Sequence, residues 1–321
     1  MGRKVLIGAL ALVFLATGCG PIKNKKEEPE EVVTAGFNSG LSGAIYFDNK
    51  ESYQRLDMHS GQSENFLASG PKMTSASIGG DRFVTVKRSR SYPEILIMGR
   101  NKEPVTRIAI PENPDGTPKL SRNGEFVLIG GIAGDTKIYN LNGQVVTNLR
   151  TNVSSYDWLP DGRVIFSRFG TIYIMDADLK TFKVYRQMAG TLSSLAVSPD
   201  GANLAFGMKS GSGSHIWILN LSSETLRQIT TSKSEEHFPA WSPNANHLVV
   251  AKGKLAAIDL IDNDNRTKPQ SCLELWVVSA HSSTISDLTS EDLANTFLVK
   301  QSVQGQTSET CATSAPLWLS Q

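Results

Sequence analysis

Cysteine is scarce in this chain: three among 321 residues, too few to staple a disulfide-built scaffold. An excess of charge of one sign is missing too. Lys and Arg number 32 against 31 Asp and Glu, a net charge of +1. Nucleic-acid-binding domains are usually strongly basic, so no nucleic acid is expected as a partner. No apolar run reaches the about 20 residues that a membrane-spanning helix needs. All five Trp fall after residue 150. The Gly-x-Ser-x-Gly elbow, the P-loop and His-Glu-x-x-His are absent, and Gly211-Ser212-Gly213-Ser214-His215 reads as a flexible loop. No catalytic residue, metal or cofactor is therefore expected. The bulk composition, 40% hydrophobic and 20% charged, is that of a globular protein.

The N-terminus has the features of an export signal. Arg3 and Lys4 precede an apolar run over residues 5–17. Its length suits a signal-peptide core better than a membrane span. The run ends in Leu15-Ala16-Thr17-Gly18-Cys19. This resembles the bacterial lipobox, in which small residues precede a cysteine that is acylated and becomes the new N-terminus. The resemblance implies a signal peptide over 1–18 and lipid, palmitate included, on Cys19. Gly rather than Asp at position 20 implies retention at the outer membrane, facing the periplasm. The alternative is an ordinary cleaved signal with an incidental cysteine. Two or three acyl chains hold a protein stably on a membrane, at about 0.8 kcal/mol per buried methylene. The rest of the segment 19–40 carries Lys23, Lys25, Lys26, Glu27, Glu28, Glu30 and Glu31 without apolar periodicity. Such a composition cannot bury a core and suits a flexible tether, a helical interaction segment being the alternative.

Beyond residue 40 the chain repeats itself. Five turns recur: Ser77-Ile78-Gly79-Gly80, Ser121-Arg122-Asn123-Gly124, Leu159-Pro160-Asp161-Gly162, Ser198-Pro199-Asp200-Gly201 and Ser242-Pro243-Asn244-Ala245. They lie 44, 38, 39 and 44 residues apart. Pro presets φ, Asp and Asn bond their own backbone, and Gly permits positive φ. Each turn is followed by a β-rich run, such as Val164-Ile165-Phe166 or Leu248-Val249-Val250, then by a second, such as Ile172-Tyr173-Ile174-Met175. A more polar run follows, such as Leu226-Arg227-Gln228, as suits an outer edge strand. Four short strands per unit of about 40 residues is the signature of a propeller blade.

The termini complete the count. Residues 315–320 repeat the first strand of a blade and then stop. The missing partners stand at the other end, at Ala44-Ile45-Tyr46-Phe47 and Tyr53-Gln54-Arg55-Leu56-Asp57. The expected fold is all-β: a six-bladed propeller of four-stranded blades over 41–321, monomeric, closed by pairing the C-terminal strand with N-terminal ones. The last full blade is expected over 236–288. Two insertions, 253–271 and 289–314, break the period and emerge on one face, and Cys272 and Cys311 end them. The two thiols are either free or joined. Export to an oxidising compartment and the shared face favour a disulfide across the closure.

The unit with Phe238-Pro239-Ala240-Trp241-Ser242-Pro243-Asn244, and with Ile172 to Asp176, resembles the repeat of the TolB family. The resemblance covers 41–321, most strongly 155–187, 192–230 and 236–288. It implies a six-bladed propeller and a periplasmic, non-enzymatic role in binding an envelope protein, a peptidoglycan-associated lipoprotein in the family's case. TolB proteins carry an α/β domain before the propeller, which the tether 19–40 is too short to supply. The same repeat type occurs in polysaccharide lyases, so a second expectation is binding or cleavage of an acidic carbohydrate at the channel. A purely structural envelope protein is a third.

One positional pattern points to a binding face. Second strands end in basic residues at Lys50, Lys87 with Arg88, Arg168, Lys209 and Lys252, on the face of the insertions. Lys87, Arg88, Arg168, Lys209 and Lys252 form the candidate partner-binding ring. A broken positive ring on a neutral protein would steer an acidic partner. Lys and Arg also begin many ordinary solvated loops, and Glu235 and Glu236 on the same side are expected to offset part of the charge. Of the five histidines only His215 and His237 share that face, and they are the candidates for any metal or general base. Asp262-Asn263-Asp264-Asn265 lacks the ligand spacing of a calcium loop, since Arg266 stands where an oxygen is needed.

Overall fold

Strands that pack a neighbour on both faces need continuous apolar runs, and strands facing solvent do not. A computed structural model follows that rule blade by blade. It describes residues 41–49, 52–67, 73–76, 82–87, 93–99, 101–110, 117–130, 135–149, 153–210, 213–253, 272–292, 295–303 and 306–320. The signal, Cys19, the tether, Lys50, Arg88, the turn at 77–80 and the Asp262–Asn265 stretch lie outside the described residues.

In the first blade the strands β1 (Ala44–Asp48), β2 (Tyr53–Asp57) and β3 (Ser63–Leu67) run outward from the axis. The second blade comprises β4 (Met73–Ala76), β5 (Arg82–Lys87), β6 (Glu94–Gly99) and β7 (Pro104–Ala109). The third holds β8 (Lys119–Leu120), β9 (Phe126–Gly130), β10 (Thr136–Asn140) and β11 (Val145–Asn148). The fourth holds β12 (Ser155–Trp158), β13 (Val164–Arg168), β14 (Thr171–Met175) and β15 (Phe182–Gln187). The fifth holds β16 (Thr191–Val197), β17 (Asn203–Ser210), β18 (Gly213–Asn220) and β19 (Leu226–Gln228). A short β20 (Thr230–Thr231) leads on to the sixth, β21 (Glu236–Trp241), β22 (His247–Lys252) and β23 (Glu274–Ser279). Next come β24 (Ser286–Asp287) and β25 (Thr296–Leu298), the latter the outer strand of the sixth blade. A hairpin of β26 (Lys300–Val303) and β27 (Gln306–Glu309) precedes β28 (Leu317–Leu319), the inner strand of the first blade. All-β architecture and six four-stranded blades match the expectation.

Three of the recurring turns carry the same side-chain hydrogen bonds. Ser121, Ser198 and Ser242 each accept, at Oγ, the backbone N–H five residues on, at 2.9 Å. Each donates to the side chain two residues on: Asn123, Asp200 or Asn244. The fourth turn residue is left-handed in each of the four described turns, Gly124, Gly162 and Gly201 at φ +73, +86 and +74, and Ala245 at +59.

Alternation in the second strands closes the ring. Ile45 and Phe47 of β1 pack with Val249, Ala251, Leu275 and Phe297 of the sixth blade. Ala44 and Tyr46, pointing the other way, pack with Phe83 of the second. Leu248 and Val250 of β22 likewise turn from the first blade toward the fifth. Six buried clusters thus lie in the six seams between neighbouring blades. The C-terminal β28 pairs antiparallel with β1, Ile45 opposite Trp318. The Trp318 indole donates to the Ser42 carbonyl at 2.9 Å.

Two expectations are corrected. The sixth blade does not end at 288. Its outer strand is β25, with Phe297 opposite Val277. Ser286 and Asp287 pair instead, in parallel, with the linker strand β20, and Leu288 is buried in the seam between the fifth and sixth blades. In the run Ile285–Leu288 only Leu288 fills that seam, while Ile285 is exposed. Segment 289–314 is accordingly not one insertion, since it holds β25 and the hairpin. Second, Gly213-Ser214-His215 is not a loop. Those residues open β18, which pairs with β17 from Asn203 opposite Asn220 to Ser210 opposite Gly213.

Candidate functional site

Along each blade the loops between second and third strands, and the connections to the next blade, leave on one face. Cys272 and Cys311 meet there in a disulfide, with Cα atoms 5.0 Å apart. Beside it Leu273 and Ala312 exchange two backbone hydrogen bonds of 2.9 Å. Thr313 then donates to Asp48 from its backbone at 2.7 Å and from its hydroxyl at 2.8 Å. The disulfide thus pins the segment that delivers the closing strand.

The basic positions on this face are not equivalent. Lys87 ends β5, opposite Glu94 of β6 in backbone register. Lys252 is held inward. Its Nζ donates to Glu274 at 3.0 Å and to the Leu288 carbonyl at 2.8 Å, and lies 5.2 Å from the Trp276 ring centre. Burial works to raise the Glu274 pKa, but hydrogen bonds from Trp276 and Lys252 outweigh it and hold the carboxyl below its ordinary value. Arg168 and Lys209 are exposed, and neither forms an ion pair with another described residue.

The two glutamates do not face outward together. Glu236 is wholly buried between the fifth and sixth blades. Its carboxylate sits 2.5 Å from His215 Nδ1 and accepts from Thr230 Oγ1 at 3.2 Å and from Ser232 Oγ. It therefore offsets nothing at the surface, contrary to the expectation. Sequence offered no sign of this, because its cover comes from the neighbouring blade. Glu235 lies 3.5 Å from His237 Nε2. Burial lowers the His237 pKa, against the opposing pull of Glu235 and Glu236. Both histidines of this face thus stand against neighbouring carboxylates. Among the described residues no group of three or more His, Cys, Asp or Glu is placed to hold a metal.

Sequence reasoning passed over Phe169. It stands between Arg168 and Gly170 in the two-residue turn joining β13 to β14, with Arg168 opposite Thr171. Phe169 and Gly170 both have positive φ, +46 and +77, as a type I′ turn requires. Asn-Gly is the usual choice there, and a non-glycine residue in this region costs about 1–2 kcal/mol. The strained ring is 73% exposed. An aromatic where turn chemistry asks for Asn was the available signal.

The ring of six four-stranded sheets, closed by the last strand against the first, has a counterpart among solved structures. TolB from Acinetobacter baumannii superposes on this chain with a TM-score of 0.59 at 20% identity, over 87% of this chain and 66% of that one. The fold is a TolB-like six-bladed β-propeller. The likeness to TolB concerns the fold, and this chain spans about two thirds (66%) of that protein's length. A TolB candidate from Agrobacterium tumefaciens matches at 17% identity and a TM-score of 0.49, over 85% of this chain and 91% of that one. Kuenenia stuttgartiensis hydrazine synthase matches at 13% identity and a TM-score of 0.48, over 66% and 64%. No protein-family model and no curated sequence matches the chain.

Proposed function

We propose that this TolB-like propeller is a non-enzymatic interaction module of the bacterial envelope. Residues 1–18 are its signal peptide, lipid on Cys19 holds it at the outer membrane, and 19–40 tether the propeller in the periplasm. The propeller binds an envelope protein through the face that carries the disulfide. The observation that carries this reading is the pair of exposed cations, Arg168 and Lys209, on a face braced by a rigid ring. Binding residues sit on loops that a rigid scaffold positions, and exposed cations on a near-neutral protein steer an acidic partner. Lys87, at the end of β5 on the same face, and Arg88, next to it in sequence, are further candidates for partner contact, and Lys252 braces the strands of the sixth blade. The repeat's resemblance to TolB suggests a partner of the peptidoglycan-associated lipoprotein kind.

The test is in-cell crosslinking and affinity capture with the full chain, beside an Arg168→Glu/Lys209→Glu variant. One envelope protein held by the wild type and lost by the variant is the expected result. Capture of no protein, together with tight binding of a polyuronate such as polygalacturonate, overturns the reading in favour of a glycan. Radiolabelled palmitate incorporated by the wild type and not by Cys19→Ser tests the anchor.

A further inference from the structure

The Phe169 turn has a property that turn chemistry does not call for: it is strained and braced at once. Its neighbour Gly170 is pressed on the connection between the fourth and fifth blades. A Cβ on Gly170 would come within 2.9 Å of the Gly190 carbonyl oxygen, and the Met188 N–H donates to the Gly170 carbonyl at 2.9 Å. Gly190 in turn lies against the Lys209 backbone, where a Cβ would collide with the Lys209 carbonyl oxygen. Three backbones are therefore packed closely side by side, with the Met208 side chain also against Gly190: the Phe169–Gly170 turn, the 188–190 connection and the end of β17. The consequence is a step in which the turn bearing Arg168 and Phe169 and the strand end bearing Lys209 flank the same 188–190 connection. The Arg168 guanidinium carbon lies 5.3 Å from the Phe169 ring centre.

Backbone held in a sparsely populated region persists where the surroundings over-determine it, and such outliers cluster at binding sites. An exposed aromatic flanked by exposed cations that form no ion pair among the described residues has the composition of an interface anchor, in which aromatic and Arg side chains dominate. Resting on the interaction-module reading above, we infer that Phe169, Arg168 and Lys209 form the anchor of that face for an acidic peptide segment. An apolar side chain of the segment covers the exposed Phe169 ring. Flanking carboxylates pair with the Arg168 guanidinium and the Lys209 ammonium. The guanidinium stays parked beside the ring until a carboxylate draws on it, so recognition needs both parts: acid alone or apolar surface alone binds weakly.

The experiment starts from a random dodecapeptide library displayed on phage, selected on the full-length chain in detergent. The expected enrichment is Asp or Glu within two positions of an aromatic or large aliphatic residue. The best peptide is then synthesised with a fluorescent label and titrated against wild type, Phe169→Asn, Arg168→Gln, Lys209→Gln and Lys183→Gln. Phe169→Asn supplies the residue the turn prefers, so its Tm holds or rises while its Kd rises at least tenfold. Arg168→Gln and Lys209→Gln each raise Kd about threefold to tenfold and flatten its salt dependence. Lys183→Gln, on an outer strand, leaves it unchanged. Selected peptides without acidic residues, or a Kd that Phe169→Asn leaves alone, overturn the anchor. So does displacement of the peptide by polygalacturonate that binds wild type and Phe169→Asn equally.

Failure of the broader reading is distinguishable. If the envelope protein captured in cells is lost from Arg168→Glu/Lys209→Glu but kept by Phe169→Asn, the module stands and the anchor falls. If no envelope protein is captured while the peptide behaves as expected, the anchor stands as a peptide site and the envelope partner falls.

Discussion

His215 Nδ1 and Glu236 Oε2 stand 2.5 Å apart across the seam between the fifth and sixth blades, with the carboxylate wholly buried. Around it the Thr230 and Ser232 hydroxyls complete the hydrogen bonding. Removing the carboxylate takes a partner from His215 Nδ1 and from both hydroxyls, although Thr230 Oγ1 keeps the Ile216 N–H and Ser232 Oγ keeps Ser234. Glu236→Ala is expected to destabilise the propeller by about 1–3 kcal/mol. Chemical denaturation of the two proteins side by side measures it, and a loss below about 0.5 kcal/mol would mean the set is not a structural tie.

Ala245 marks a place where the repeat departs from its own rule. At φ +59 it occupies the turn position that Gly124, Gly162 and Gly201 hold in three other blades. Its N–H still donates to the Ser242 carbonyl at 2.9 Å, as Gly201 does to Ser198. Ala245→Gly relieves the steric penalty and is expected to add about 0.5–1 kcal/mol of stability. A thermal scan should show a Tm higher by about 2 °C. An unchanged or lower Tm would count against the strain argument.

The disulfide closes a loop of 39 residues, across which the chain-entropy relation predicts about 4 kcal/mol at 25 °C. Cys272→Ser/Cys311→Ser is expected to lose about 2–4 kcal/mol, because native pairing at Leu273–Ala312 and Thr313–Asp48 persists without it. Limited proteolysis after reduction should cut first near the closing strand. Cleavage in the third or fourth blade first would show that the disulfide does not guard the closure.

His237 contributes a pH dependence of known sign. Burial lowers its folded pKa below 6.5, only partly opposed by Glu235 and Glu236. Between the folded and unfolded values the unfolded chain binds more protons, so stability is full above pH 6.5 and falls as pH drops below it. His247, also lowered by burial and by His281, adds to the same slope. His237→Gln is therefore expected to flatten the stability profile between pH 6.5 and 5 in part, read from denaturant midpoints. A wild-type profile that rises on acidification would reverse the assignment.

How far the sequence speaks differs from residue to residue. The Ser-Pro-Asp-Gly turns were legible because their chemistry is local: a serine hydroxyl, an Asp or Asn and a left-handed fourth residue lie within a few positions. The exchange of the closing strand was legible because a strand without partners at one end matched partners without a strand at the other. The outer strand of the sixth blade was not, since Ile285–Leu288 and Thr296–Leu298 are both short runs of mixed polarity. Only the seam that Leu288 fills separates them. Lys252 looked like its counterparts Arg168 and Lys209, until Glu274 and the Leu288 carbonyl drew its ammonium inward.

The number of blades, the turns at 121–124, 159–162, 198–201 and 242–245 and the strand that closes the ring were all readable in the sequence. Those features rest on turn residues and on side-chain alternation, which act over two to five positions. The tertiary structure alone decided that Glu236 is buried, that Lys252 is tied and that Phe169 is exposed on a braced step. Each depends on what the adjacent blade places beside it. Burial and charge pairing are set by neighbours in space, and a repeat that specifies its own strands does not specify what the next repeat will cover.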